Sequence, residues 1–342
     1  MSALRNLLIA SFLAGSALVS HAAVGVPALP FSKLVVFGDS LSDSGNNSLV
    51  FNNDAMQVVL SNSYIPGQTY SSGTYSNGPV WATQFASSLG LTLTPSLAGG
   101  TNYAYGGSVT NPDQVYQGGS VILPSLVSQA NQYLATMPSD AASTLFVVAG
   151  GGNNARAILN AAAPILIGGG DASALIGTNA NQYAMDVGGI VDNLQGLGAQ
   201  HIIVWNTPNI GLAPAVLANG AQVSFVGSSV ASTMNNLLAI RLNGEAGVRT
   251  FDLFGLIARA TASGQFTNTI DACGNPDLAC NANLGSALFY DGIHPTTAAH
   301  AFVAGEMQML AAVPEPSELA MMLAGLLIIG AHVRCARRVA RR

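Results

Sequence analysis

Apolar runs bounded by turn residues alternate with stretches of helical spacing along most of this chain. Leu34-Val35-Val36-Phe37, Leu145-Phe146-Val147-Val148 and His201-Ile202-Ile203-Val204-Trp205 are short and almost wholly apolar, the pattern of strands buried on both faces. Asn102-Tyr103-Ala104-Tyr105, running into Gly106-Gly107, and the stretch from Val248 to Leu253 read as two more strands. Between them, Val80, Trp81, Phe85 and Leu89 keep helical spacing up to Gly90. Further helices are predicted over 125–137, where Pro138 stops the pattern, around Ala184, Val187, Val191 and Leu194, and over 223–242 and 296–310. The Gly/Ala-rich run from Ala161 to Gly170 reads as a surface loop. The polar segment from Asn46 to Gly78 is long enough to be functional or to carry short helices of its own. Five strands separated by helices predict an α/β fold of three layers, α/β/α, around a mainly parallel five-stranded sheet. Such sheets bind ligands at the carboxyl ends of their strands, where Gly- and Asn-rich elements follow three of these five.

Composition narrows the class. With 49% hydrophobic and 8% charged residues among 342, the chain can bury a large core. Its net charge of −5 hides an asymmetry, because Arg5 lies near the start and Arg334, Arg337, Arg338, Arg341 and Arg342 crowd the end. The middle is therefore acidic and offers no basic stripe to nucleic acid. Arg5, the apolar run from Leu7 to Val19 and Ser20-His21-Ala22 have the layout of an export signal over 1–22, a buried helix being the alternative. Export permits disulfides. Cys273 and Cys280 share a Gly-, Asn- and Pro-rich loop and are candidate partners, with two free thiols as the alternative, whereas Cys335 lies in the basic tail. Beyond Val313-Pro314-Glu315-Pro316, the apolar run from Leu319 to Val333 falls short of the roughly 20 residues a full span needs. The arginines after it would hold the extreme C-terminus in the cytoplasm.

The candidate chemistry lies at two distant points. Gly38-Asp39-Ser40 leaves a serine at a sheet edge, where the next helix can aim backbone N–H groups at an anion formed during acyl transfer. On their own these residues equally suit a turn that caps that helix. Asp291-Gly292-Ile293-His294-Pro295 supplies a base and, three residues earlier, an acid able to fold back and fix the imidazole tautomer. Ser40 is thus the candidate nucleophile, His294 its base and Asp291 the orienting acid. His201 opens a buried strand and reads as a core residue; His300 lies on the last helix and reads as a capping or packing residue. No His-x-x-x-His pair occurs, so neither a metal site nor a cofactor is expected.

Taken in order, these blocks resemble the SGNH branch of the GDSL esterase/lipase family, over Lys33 to about Ala312. Gly38-Asp39-Ser40-Leu41 matches the first block, Asn102 to Gly107 resembles the second, Gly152-Asn153 the third, and Asp291 to Pro295 matches the last. The resemblance implies a flavodoxin-like sheet and an oxyanion hole made by the Ser40 N–H, the Gly107 N–H (Gly106 being the alternative) and the Asn153 side chain. Asn154 stands where the family pattern has aspartate, a departure in that loop. Ser76-Asn77-Gly78-Pro79-Val80-Trp81 and Pro208-Asn209-Ile210-Gly211 resemble stretches of the larger secreted members. The Pro-Glu-Pro, apolar and arginine order of 313–342 resembles a PEP-CTERM sorting signal of Gram-negative bacteria. It implies signal peptidase and exosortase processing, transient insertion in the inner membrane, and a surface or extracellular product; a permanent anchor facing the periplasm is the alternative. The expectation is a monomeric secreted serine hydrolase over 23–312, acting on esters of lipids or acylated carbohydrates. An acyltransferase with the same acyl-enzyme and an inactive surface-binding module are the rivals, and the intact Ser40, Asn153, Asp291 and His294 set argues against the second.

Overall fold

The computed structural model describes residues 29–52, 70, 73–116 and 119–312. The expected export signal and sorting tail lie outside the described residues, and a compact unit begins at Phe31. In chain order its strands are β1 (Lys33–Gly38), β2 (Gln114–Tyr116), β3 (Val121–Leu123), β4 (Thr144–Ala149), β5 (His201–Trp205), β6 (Val248–Phe251), β7 (Asn268–Ala272) and β8 (Ala287–Phe289). Its α-helices are α1 (Asn46–Asn52), α2 (Trp81–Ser88), α3 (Leu126–Leu134), α4 (Gly152–Ile167), α5 (Ser173–Gly196), α6 (Pro214–Leu217), α7 (Ala221–Arg241), α8 (Leu256–Ala262) and α9 (Thr297–Ala312).

β1, β4, β5 and β6 lie side by side in that order, all parallel, with Val36 opposite Val147 and Val148 opposite Val204. The expected fifth strand is present as an edge rather than a full strand. Along the free side of β1, Tyr103 N donates to Val36 O (2.8 Å) and Tyr105 N to Gly38 O (3.2 Å), through a parallel bridge between Val36 and Asn102. Its outward carbonyls are taken by a side chain, since Asn46 Nδ2 donates to both Asn102 O (2.8 Å) and Ala104 O (2.9 Å). Counting this edge, the spatial order by sequence is second, first, third, fourth, fifth. The direction of strand succession reverses between β1 and β4, where a sheet of this kind opens a crevice at its carboxyl end.

Both faces of the sheet are covered. Val35, Phe37, Phe146, Val148, Ile202 and Val204 point into one core with side chains of α3, α4, α5 and α7. On the opposite face Trp205 stacks on Trp81 of α2 at 4.4 Å, and its Nε1 donates to Met307 Sδ of α9 (3.3 Å). The burial of each such side chain contributes roughly 1.5–3 kcal/mol, so the wholly apolar strands follow from having helices on both sides.

One expectation fails. The run from Ala161 to Gly170 is no loop up to its end, because α4 continues to Ile167 with Ala162 and Ala163 buried. Alanine has the highest helix propensity, and two of these alanines face the core, which outweighs the interior Pro164. The helix stops only at the glycines, where Gly168 N, Gly169 N and Gly170 N bond back to Pro164 O, Leu166 O and Ile165 O.

β7 and β8 form a small parallel pair that carries the chain into the Asp291–His294 block. Cys273 and Cys280 are bonded, with 5.2 Å between their Cα atoms. Cys273 N donates to Phe289 O (3.1 Å) and Gly274 N to Tyr290 O (2.6 Å), so the cross-linked loop is tied to the residues just before Asp291.

Candidate active site

Everything at the site hangs from the end of β1. A Cβ on Gly38 would lie 2.8 Å from both Ala149 O and Ser42 Oγ, so only glycine lets the chain turn there. Gln129 of α3 clamps that peptide from both sides, with Gly38 N donating to Oε1 (2.8 Å) and Nε2 donating to Gly38 O (2.9 Å). The next residues wind into a helical turn, in which Ser42 N and Asp43 N both donate to Asp39 O (3.0 and 2.9 Å). Asp43 then gathers four backbone N–H groups, from Gly45, Asn46, Asn47 and Gly106, at 2.8–3.2 Å. Burial raises the pKa of Asp43 to about 6 against the pull of these donors.

This scaffold presents Ser40 to a histidine 254 residues away. His294 Nε2 lies 2.9 Å from Ser40 Oγ, and His294 Nδ1 lies 2.8 Å from Asp291 Oδ2. The other oxygen of Asp291 accepts from Ile293 N (2.8 Å) and His294 N (2.7 Å), the fold-back turn expected from the three-residue spacing. Burial alone would raise the pKa of Asp291. The charge of His294 and hydrogen bonds from His294, Tyr70 and Ile293 outweigh it and hold this carboxyl below its ordinary value. At Asp39 burial outweighs the hydrogen bond from Leu41 N and the charge of His294, and pushes the carboxyl up to about 6.

Of the expected oxyanion donors, Asn153 lines the same cavity as Ser40. Gly106 N is committed to Asp43 Oδ2 (3.0 Å), and Gly107 is held at φ 86°. Among the described residues neither Ser40 N nor Gly107 N donates a hydrogen bond. Asn153 stands in the first turn of α4, and its Nδ2 donates to Ser108 O (2.9 Å) in the loop that follows Gly107. Asn154, the departure from the family pattern, holds the same loop further on. Its Oδ1 accepts from Thr110 N (3.1 Å) and its Nδ2 donates to Thr110 Oγ1 (3.0 Å). An amide here does what a carboxylate could do only in part, since it both accepts and donates.

Aromatic residues that no sequence motif singled out enclose the histidine. Tyr70 donates its hydroxyl to Asp291 Oδ2, and the same oxygen atom of Tyr70 sits 3.2 Å from His294 Nδ1. Tyr75 lies across the imidazole at 5.3 Å between centroids, and Asn47 Nδ2 donates to its hydroxyl (2.6 Å). The Ser76-Asn77-Gly78 stretch stitches the histidine loop in place. Ser76 Oγ donates to Pro295 O (2.8 Å), and Thr297 N donates to Asn77 Oδ1 (2.8 Å).

A cavity of about 90 Å³ opens beside Ser40, Asn153 and His294. Asp39, Arg156 and Asn209 also line it, and the rest of its walls are apolar, among them Ile210, Val216, Leu253, Leu256, Ile257 and Phe289. Pro208 and Asn209, from the stretch after β5, complete the edge. No group of three or more His, Cys, Asp or Glu side chains is arranged to hold a metal among the described residues.

His300 is within the core rather than at a cap. It is 1% exposed, and neither ring nitrogen has a hydrogen-bond partner among the described residues. Burial, with a smaller effect of nearby His294, lowers its pKa to about 3. A depressed folded-state pKa means that the unfolded chain takes up a proton that the folded chain refuses. The folded state therefore loses stability as pH falls from about 6.5 toward 3, by about 2 kcal/mol at pH 5 from this residue. His300→Leu removes that dependence, so the gap in melting temperature between variant and parent should widen in the variant's favour from pH 7 to pH 5. A gap that stays constant contradicts this account.

A family model described as GDSL-like Lipase/Acylhydrolase matches residues 34–307. Esterase EstA of Pseudomonas aeruginosa is 28% identical over 362 residues, covering 91% of this chain and 51% of that protein. The chain thus spans about half the length of that relative. The phosphatidylcholine-sterol acyltransferase of Aeromonas hydrophila is 26% identical, covering 83% of this chain and 91% of the other. Among solved structures, an acetyl xylan esterase aligns over 82% of this chain and 99% of its own at 12% identity, with a TM-score of 0.38.

Proposed function

The chain belongs to the GDSL-like lipase/acylhydrolase family, and on that premise we propose that it hydrolyses carboxylic esters through an acyl-enzyme on Ser40. The observation that carries this reading is the unbroken chain from Ser40 Oγ to His294 Nε2 and from His294 Nδ1 to Asp291 Oδ2, at 2.9 and 2.8 Å, beside an apolar cavity.

His294 Nε2 takes the Ser40 proton as Oγ attacks the ester carbonyl. The carbonyl oxygen becomes an anion, met by the N–H groups of Ser40 and Gly107 and by Asn153 Nδ2. Collapse breaks the bond to the alcohol, which leaves with the proton from His294. Water then attacks the acyl-Ser40, gives its proton to the same nitrogen, and the acid departs as Oγ is reprotonated. Asp291 keeps the second imidazole proton on Nδ1 throughout.

The apolar walls favour an acyl chain over a bare acetyl group. Across p-nitrophenyl esters from acetate to palmitate, kcat/KM should rise from acetate to a medium chain; failure to cleave any member overturns the reading. Asn153→Ala should cost on the order of 10²–10³ in kcat with KM little changed. An Asn153→Ala enzyme at full rate would remove that side chain from the oxyanion hole. Export and processing of the tail belong to the same proposal and rest on the sequence pattern. An intact mass that retains Arg342 in host-derived protein would contradict the processing.

A further inference from the structure

A second cleft adjoins the catalytic cavity. It has a volume of about 380 Å³, and Arg156 and Val216 line both. Positions 156, 159, 163 and 167 of α4 recur at spacings of three and four, so they share one helix face. That face begins at Gly152 and Asn153 in the catalytic cavity and continues as the wall of the second cleft, which spans about 16 Å from Arg156 to Ile167 at 1.5 Å per residue. Leu159, Ala163 and Val216 make a buried apolar floor, at 3%, 7% and 7% exposure, while Ile167 remains 49% exposed. Asn160 and Asn219 line it from exposed positions, and Arg156 alone among the lining residues is charged.

An ester places two arms on either side of the carbon that Ser40 attacks, the acyl chain and the alcohol. The catalytic cavity accommodates one apolar arm, and the groove leads away from the same helix turn along a separate course. We propose that the groove holds the second arm, so that the substrate is a diacyl lipid whose alcohol portion itself carries an acyl chain. An alkyl chain can lie along Leu159, Ala163, Val216 and Ile167, whereas the hydroxyls of a carbohydrate alcohol would find side-chain partners only at Arg156, Asn160 and Asn219. This inference rests on the esterase reading of the same site.

The test uses the full chain and compares dioctanoylglycerol with monooctanoylglycerol in the same mixed detergent micelles. The expected result is a kcat/KM ratio of about tenfold or more in favour of the two-chain ester. Asn160→Trp and Asn219→Trp each place an indole over the groove from an exposed rim position and should bring the ratio toward one, with the monooctanoylglycerol rate reporting an intact fold. A ratio at or below one in the parent protein, or a ratio that both variants leave unchanged, overturns the proposal. If p-nitrophenyl octanoate is cleaved and neither glyceride is, the groove assignment falls and the esterase reading stands. If p-nitrophenyl octanoate also survives, the esterase reading falls and the groove assignment with it.

Discussion

Ser40→Ala is expected to lower ester hydrolysis by roughly 10⁴–10⁶-fold, the range seen when a serine nucleophile is removed. The geometry predicts that the loss falls on kcat. Ser40 Oγ bonds His294 Nε2, and the turn that carries it is fixed by other groups, namely the Asp39 carbonyl, the Asp43 carboxylate and the Gln129 amide. Alanine fits this 8% exposed position without displacing any of them, so the melting temperature should stay within a degree or two of the parent's. The apolar cavity is also untouched, and KM should change little. A Ser40→Ala protein retaining more than about a hundredth of the parent rate would remove Ser40 as nucleophile.

Asp291→Asn should cost about 10⁴ in kcat through the imidazole tautomer. The orientation of the new amide is dictated by its surroundings. Oδ1 of Asp291 accepts from two backbone N–H groups, Ile293 and His294, so the asparagine must keep its carbonyl oxygen there. Its NH₂ then faces His294 Nδ1 and the Tyr70 hydroxyl, where Asp291 Oδ2 was an acceptor. A donor at that place drives the imidazole proton to Nε2, which can no longer accept from Ser40. Steady-state kinetics should show kcat falling far more than KM. A variant within tenfold of the parent rate would show that Asp291 does not set the tautomer.

Much of this site was legible in the sequence because it is built from short blocks. Gly38-Asp39-Ser40 and Asp291-Gly292-Ile293-His294 each fold on themselves through local hydrogen bonds, so their spacing alone foretells the turn. That the Gly106 N–H is already taken was not legible, because its acceptor Asp43 reaches it from 63 residues away. Tyr70 and Tyr75 lie in a segment that reads only as long and polar, and they become part of the site through contact with a histidine more than 200 residues further on. No period or spacing encodes such a contact. The sheet was legible where strands are wholly apolar. It was less so at 102–105, where Asn46 takes carbonyls that a further strand would otherwise pair. The Gly/Ala-rich run 161–170 reads as a loop, whereas its buried alanines hold a helix as far as Ile167. That helix also carries the wall of the second cleft, so the misread segment is the one on which the substrate inference depends.

The central claim is that Ser40 becomes acylated, and covalent trapping tests it most directly. A fluorophosphonate phosphonylates an activated serine and stays on it, as the acyl group does transiently. Incubating the protein with one equivalent, followed by intact mass and peptide mapping, should give a single adduct per chain on the peptide that contains Ser40, with esterase activity lost in proportion. Adduct formation should vanish in His294→Ala, which leaves Ser40 without a base. An adduct mapped to another residue, or full activity in a protein fully modified at Ser40, would contradict the account.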